Sequence, residues 1–179
     1  QFRASRRNAL FIVVDGPRRR TQRIKYGSLS EVLHLVAAGA RIRLPRGRVV
    51  AVSHSSGTRT VLQWLRHRAL DHVVILDGLF AGERYFARWV RKRRGHRLCL
   101  VARKTRSHCV RLARSFTRSA TLARIPADRS SLTRRQRRAR VLLIHSQYPH
   151  SAIVYKRRAI PAVLRLVGLR AVRPAPYTS

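Results

Sequence analysis

Ser53-His54-Ser55-Ser56-Gly57 lies between an apolar run, Val49–Val52, and a stretch of helical spacing that starts at Thr58. Hydroxyls and an imidazole crowded into one strand-to-helix turn are the residue types of nucleophilic catalysis, in which a base takes the proton from a serine. The same types also make plain turns, and Ser56 or Thr58 suits the cap of the following helix. A second chemistry, phosphate binding, is offered by the arginines. They cluster at Arg18, Arg19, Arg20 and Arg23; at Arg91, Lys92, Arg93 and Arg94; at Arg111, Arg114 and Arg118; at Arg134, Arg135, Arg137 and Arg138; and at Lys156, Arg157 and Arg158.

The chain carries 41 Lys and Arg against six Asp and Glu, a formal net charge of +35 over 179 residues. Self-repulsion on that scale opposes compaction unless a polyanion neutralises it, which points to nucleic acid. The only lysines are Lys25, Lys92, Lys104 and Lys156. Arginine's planar fork binds phosphate bidentately and stacks on bases. Hydrophobic residues make up 45%, too many for a chain kept unfolded by its charge. A domain of this length buries roughly 70% of its unfolded surface. No apolar stretch approaches the ~20 residues of a membrane-spanning helix, so no membrane partner is expected. Cys99 and Cys109 have neither a disulfide framework nor zinc-ligand spacing, which favours a reducing compartment. No metal or small-molecule cofactor is expected, and the phosphate-loop pattern of nucleotide hydrolases is missing. The chain starts at Gln1 and contains no Met, which fits a mature organellar protein with its transit peptide removed, or a fragment.

Strand-like runs alternate with helical spacing, which predicts a single α/β domain over residues 1–172 with a tail, 173–179. Its mainly parallel sheet has about five strands, with helices on both faces. The strands expected are Leu10–Val14, Arg48–Ser53, His72–Asp77, Arg97–Ala102 and Val141–Ile144. Of these, Val49–Val52, Val73–Leu76 and Leu98–Val101 read as neighbours buried on both faces. Ser28-Leu-Ser-Glu31 matches a capping box and opens a helix that ends near Gly39. Further helices are expected over Thr58–Arg68, over Glu83–Arg94 with Gly95 as terminator, over Ser107–Arg118 and over Ile160–Val167. The spacing puts Arg111, Arg114 and Arg118 on one helix face. Thr133–Ala139 reads as a basic helix or loop, and 120–131 as irregular.

Strand, Ser53-His-Ser-Ser-Gly57 and helix together resemble the nucleophile elbow of the α/β-hydrolase family, whose pattern is G-x-S-x-G with the central serine, here Ser55, presented by the turn. The similarity covers most of the chain from Phe11 onward. His72-Val-Val-Ile-Leu-Asp77-Gly78 resembles the next strand with an acid at its end. Val141-Leu-Leu-Ile-His145, followed by Tyr148-Pro-His150, resembles the last strand and the loop of the catalytic histidine. The resemblance implies the order Ser55, Asp77, His150 for nucleophile, acid and base, with His145 as second candidate for the base. The chain departs from the family in three ways. Ser53 replaces the first Gly of the elbow, where it would crowd the turn. The family's acid usually follows the next strand, where Ala102–His108 offers no carboxylate. The family's first three strands, and the loop that supplies half of its oxyanion hole, would be missing.

Those departures predict a hydrolase scaffold that no longer catalyses, with no catalytic residue favoured. The spread of basic clusters over the whole chain predicts a structural RNA-binding component of a large ribonucleoprotein. A mitochondrial ribosome in the matrix is the setting expected, with ribosomal RNA and neighbouring ribosomal proteins as partners and the arginines and lysines named above as contacts. The alternative is an active esterase or amidase that uses Ser55, Asp77 and His150.

Overall fold

The computed structural model describes residues 1–17, 21–155 and 158–172. Its centre is a five-stranded sheet: β1 (Val49–His54), β2 (Leu70–Leu76), β3 (Arg97–Ala102), β4 (Ser119–Leu122) and β5 (Val141–His145). The spatial order is β1-β2-β3-β5-β4, and every pairing is parallel. The connecting helices are α1 (Leu29–Ala40), α2 (Thr58–Trp64), α3 (Glu83–Lys92), α4 (Arg106–Arg114) and α5 (Arg134–Arg138), with α6 (Ala152–Tyr155) and α7 (Ala159–Leu166) after the last strand.

Side chains alternate across a strand, so each continuous apolar run feeds two cores. On one face Val73, Ile75, Leu98, Leu100 and Leu143 pack with Val32, Val61, Phe86, Trp89 and Leu112 from α1 to α4. On the other, Val74, Leu76, Val101, Leu142 and Ile144 pack with Ile153, Ala162 and Val163 from α6 and α7. Cys99 and Cys109 are buried and unpaired, and burial pushes their thiols up to about 12 and about 11.

Three strand expectations are corrected. Leu10–Val14 forms no strand; Ile12 and Val14 lean on the core while Val13 is 77% exposed. Its β-branched composition suits a strand, but a strand also needs a paired backbone edge. Ala120–Leu122, the start of the 120–131 stretch expected to be irregular, belongs instead to a strand, Ser119–Leu122, paired with β5. It forms the half-exposed sheet edge, where a short polar segment carries no apolar run. β1 is the opposite edge, so Val49, Val50 and Val52 are half-buried instead of covered on both faces.

Helix starts follow the local signals, as do the ends of α1 and α7, but α2, α3 and α4 end early. The Ser28 hydroxyl accepts from the Glu31 N–H, and Thr133 with Gln136 forms a reciprocal capping box at α5. α2 stops at Trp64, four residues before Arg68, and α3 stops at Lys92, before Gly95. α4 ends at Arg114. Arg118 is therefore off the helix face it was expected to share, because its carbonyl accepts from the Arg140 N–H at the entry to β5.

Candidate active site

In the parallel register of β1 and β2, His54 lies opposite Leu76, so the next residues, Ser55 and Asp77, leave the sheet side by side. Both are left-handed, with φ of +52° and +46°. That conformation costs a non-glycine residue roughly 1–2 kcal/mol and clusters at functional sites. Ser55 starts a single 3-10 turn, Ser55–Gly57, that runs into α2. Ser53, expected to crowd this turn, is buried with its hydroxyl 3.1 Å from that of Thr58, and so ties the strand end to the helix start.

His150 arrives from the loop after β5, which Ser146 shapes by accepting from the Tyr148 N–H and donating to its carbonyl. His150 Nδ1 is 2.8 Å from Asp77 Oδ2, and His150 Nε2 is 3.1 Å from Ser55 Oγ. The fold therefore joins Ser55, His150 and Asp77 in one hydrogen-bonded chain. His145, the other candidate base, stays outside it at the end of β5. Its Nδ1 is buried without a hydrogen-bond partner, and burial and Arg106 push its pKa down.

Asp77 is fully buried. Its Oδ1 accepts from the Arg103 and Thr105 N–H groups at 2.8 and 2.9 Å and from the Thr105 hydroxyl at 3.0 Å; its Oδ2 accepts from the Lys104 N–H at 3.1 Å. Burial opposes the charge. The donors, those of Thr105 and Arg103 foremost and His150 among them, outweigh it and hold the carboxyl down to about 2. An ionised Asp77 keeps the imidazole proton on Nδ1, which leaves Nε2 to accept from the serine. The 102–108 segment, where the resemblance expects an acid, supplies the backbone cradle for one.

Three further residues shape the site in ways the sequence reading assigned to none of them. His54 Nε2 lies 3.0 Å from the His150 carbonyl, and the two rings are 4.6 Å apart. Burial lowers the pKa of His54, so the neutral ring donates its N–H and tethers the His150 loop to the serine turn. Phe80, half exposed, sets its ring edge-on to His150 at 6.3 Å. Gly78 passes so close to the turn that a Cβ there would meet the Ser55 carbonyl oxygen at 2.6 Å. A glycine directly after the acid was the available signal for that approach. Asp15–Pro17 packs beside the turn. A Cβ on Gly16 would lie 3.2 Å from Gly57 Cα, and the Ser56 hydroxyl donates to the Pro17 carbonyl.

The basic residues lie elsewhere. Arg23, Arg91, Lys92, Arg93, Arg94, Arg114, Arg134, Arg135, Arg138 and Arg158 are exposed. Arg91 also lies over the Phe116 ring, Arg111 bridges Glu83 at 2.9 Å, and Arg137 reaches the Leu132 carbonyl. Arg18, Arg19, Arg20, Lys156 and Arg157 fall outside the described residues, as does the tail at 173–179. Among the described residues no His, Cys, Asp and Glu cluster could hold a metal ion, and no helix is long and apolar enough to cross a membrane. The chain matches no family model, no curated protein and no solved structure.

Proposed function

We propose that this protein is a serine hydrolase, an esterase or amidase on an α/β-hydrolase-like frame, with Ser55 as nucleophile, His150 as base and Asp77 as the acid that orients it. The observation that carries this reading is the unbroken chain Ser55–His150–Asp77, at 3.1 and 2.8 Å. Ser55 Oγ attacks the substrate carbonyl as its proton passes to His150 Nε2. The imidazolium, held against ionised Asp77, then gives that proton to the leaving alcohol or amine as the acyl bond breaks. Water, deprotonated by the same nitrogen, releases the acid and frees Ser55. The oxyanion needs backbone donors. The Ser56 N–H, in the first turn after the nucleophile, is one, and Asp15–Pro17 is the backbone beside the turn where a second is needed. Neutral His54 holds the base loop without placing a cation beside the imidazolium, and Phe80 gives the acyl or leaving group an apolar contact.

A fluorophosphonate probe tests this directly. Label is expected on the peptide containing Ser55, with Ser55→Ala abolishing it and His150→Ala slowing it by more than about 10³-fold. Folded wild-type protein that takes up no label overturns the reading.

The net charge of +35 favours a second role that uses other residues: attachment to RNA, as in a ribonucleoprotein such as a mitochondrial ribosome. Two of the six carboxylates are already engaged, Asp77 by His150 and Glu83 by His108 and Arg111, so little internal charge is left to offset the arginines. On the order of ten phosphate contacts are expected, so affinity for RNA should fall about 10³-fold or more between 50 and 200 mM salt. A flat salt dependence would remove this role and leave the hydrolase untouched.

A further inference from the structure

All five strands are parallel, so the end of the sheet opposite Ser55 gathers the segments that lead into the strands. Arg97 opens β3, Arg118 precedes β4, Arg138 closes α5 and Arg140 precedes β5. Arg93, just past α3, lies at the same end. These segments are stitched together by backbone bonds: the Arg140 N–H donates to the Arg118 carbonyl at 2.7 Å, and the Leu98 N–H to that of Arg140 at 2.9 Å. The sequence presents 91–94 and 134–140 as separate clusters, and the fold merges them.

The guanidinium groups of Arg97, Arg118 and Arg140 converge without acidic partners, beside exposed Arg138 and Arg93, whose guanidinium donates to the Arg68 carbonyl at 2.8 Å. Arg97 and Arg118 both donate to the carbonyl of Arg138, at 3.3 and 3.2 Å. Arg140 donates to the carbonyls of Val90 and Arg93, and its Nε is buried with no hydrogen-bond partner. Among the described residues none of the five forms an ion pair. Asp71, whose charge acts on neighbouring His96, bridges none of them. Carbonyl oxygens satisfy donors but bring no net negative charge, so the cations repel one another. Burial and the neighbouring arginines lower the pKa of both Arg97 and Arg140.

We infer that this end of the sheet is a single binding site for the phosphodiester backbone of RNA, with adjacent phosphates seated at Arg97, Arg118 and Arg140 and reached from its edge by exposed Arg93 and Arg138. The inference rests on the RNA-attachment role above and gives it a location. A guanidinium fork takes phosphate oxygens bidentately. A nucleic-acid strand carries one full charge per residue at close, fixed spacing, which matches several converging cations better than a single anion does. The site faces away from Ser55, so an RNA-bound molecule keeps its serine turn open.

Binding of a fluorescent oligouridylate, measured by anisotropy across a salt series, tests the site in the full chain. Arg118→Gln and Arg138→Gln change side chains at the surface, and circular dichroism checks that both variants fold. Each is expected to flatten the log K against log salt slope by about 0.7. The double variant should depart from additivity by a factor of about 3 or more, because the two residues serve one ligand. Arg84→Gln, in the first turn of α3 at the Ser55 end, should leave slope and affinity unchanged. A double variant that binds like wild type would overturn the site while steep wild-type salt dependence kept the RNA role. Wild-type binding with no salt dependence would overturn both. Polyglutamate that displaces the oligouridylate at equal charge concentration, and loses affinity equally in the double variant, would overturn RNA as the ligand in favour of an acidic protein.

Discussion

Asp77→Asn is expected to slow fluorophosphonate labelling of Ser55 by about 10⁴-fold and to lower stability by roughly 1–3 kcal/mol. The carboxylate accepts five hydrogen bonds, three at Oδ1 and two at Oδ2. An amide can keep only one oxygen. The less disruptive orientation leaves that oxygen to Arg103 and Thr105 and turns the NH₂ toward the Lys104 N–H and His150 Nδ1. A donor facing Nδ1 forces the imidazole proton onto Nε2, which then points a hydrogen at Ser55 and cannot act as base. The Lys104 N–H is left facing another donor, which is the source of the stability loss. Acid titration supplies a second readout. The Asp77 pKa is lowered from 3.8 to about 2, so its contribution to stability is present above the ordinary carboxylate value and is lost as pH falls through about 2. Wild-type melting temperature should drop across that window. In Asp77→Asn the drop should shrink to what remains of Glu83, whose carboxyl is likewise held down to about 2, and of Asp128, whose carboxyl is lowered by the Ser130 and Ser131 donors. Labelling of Asp77→Asn at the wild-type rate would remove Asp77 from the mechanism.

Gly78→Ala is expected to destabilise the fold by about 3 kcal/mol, a fall of roughly 6–12 °C in melting temperature for a chain of this size. The added Cβ would overlap the Thr58 hydroxyl and lie 2.6 and 2.9 Å from the Ser55 carbonyl oxygen and nitrogen. Two of these three atoms are backbone, so the serine turn itself must move. Displacing a nucleophile by about 1 Å reduces rate on the order of 10²-fold, so the surviving folded protein should label slowly as well. Gly95→Ala is the matched control, since a Cβ there meets nothing within 4 Å; its stability and labelling should stay at wild-type levels. Equal behaviour of the two variants would show that the close approach of Gly78 to Ser55 does not position the nucleophile.

Local chemistry wrote much of this fold into the sequence. Val73–Leu76 and Leu98–Val101 are apolar without interruption because both of their faces are covered, and they are neighbouring inner strands. Ser28 and Thr133 mark helix starts because a hydroxyl three residues before an N–H caps it wherever it occurs. What the sequence could not convey is which backbone edges meet. Leu10–Val14 has the composition of a strand and pairs with none, while Ser119–Leu122 lacks that composition and completes the sheet, because edge strands are recruited by an available neighbour.

The same division runs through the site. The strand-to-helix turn at Ser55 was legible because its turn, strand and helix are contiguous, whereas Asp77 and His150 were linked to it only by the order the resemblance implied. That His150, and not His145, meets both groups depends on the loop after β5 folding back across 95 residues to Ser55 and 73 to Asp77. That Asp77 can stay ionised while buried depends on the backbone of Arg103–Thr105 wrapping its carboxylate. The charge of +35 could be counted from composition alone. That Arg97 and Arg118 share one carbonyl at the far end of the sheet follows from β5 passing between β3 and β4. Residue types and short-range spacing determine which chemistry is possible and where helices begin. Long-range strand pairing, whose loop-closure entropy and edge geometry no local pattern records, decides which of those residues meet.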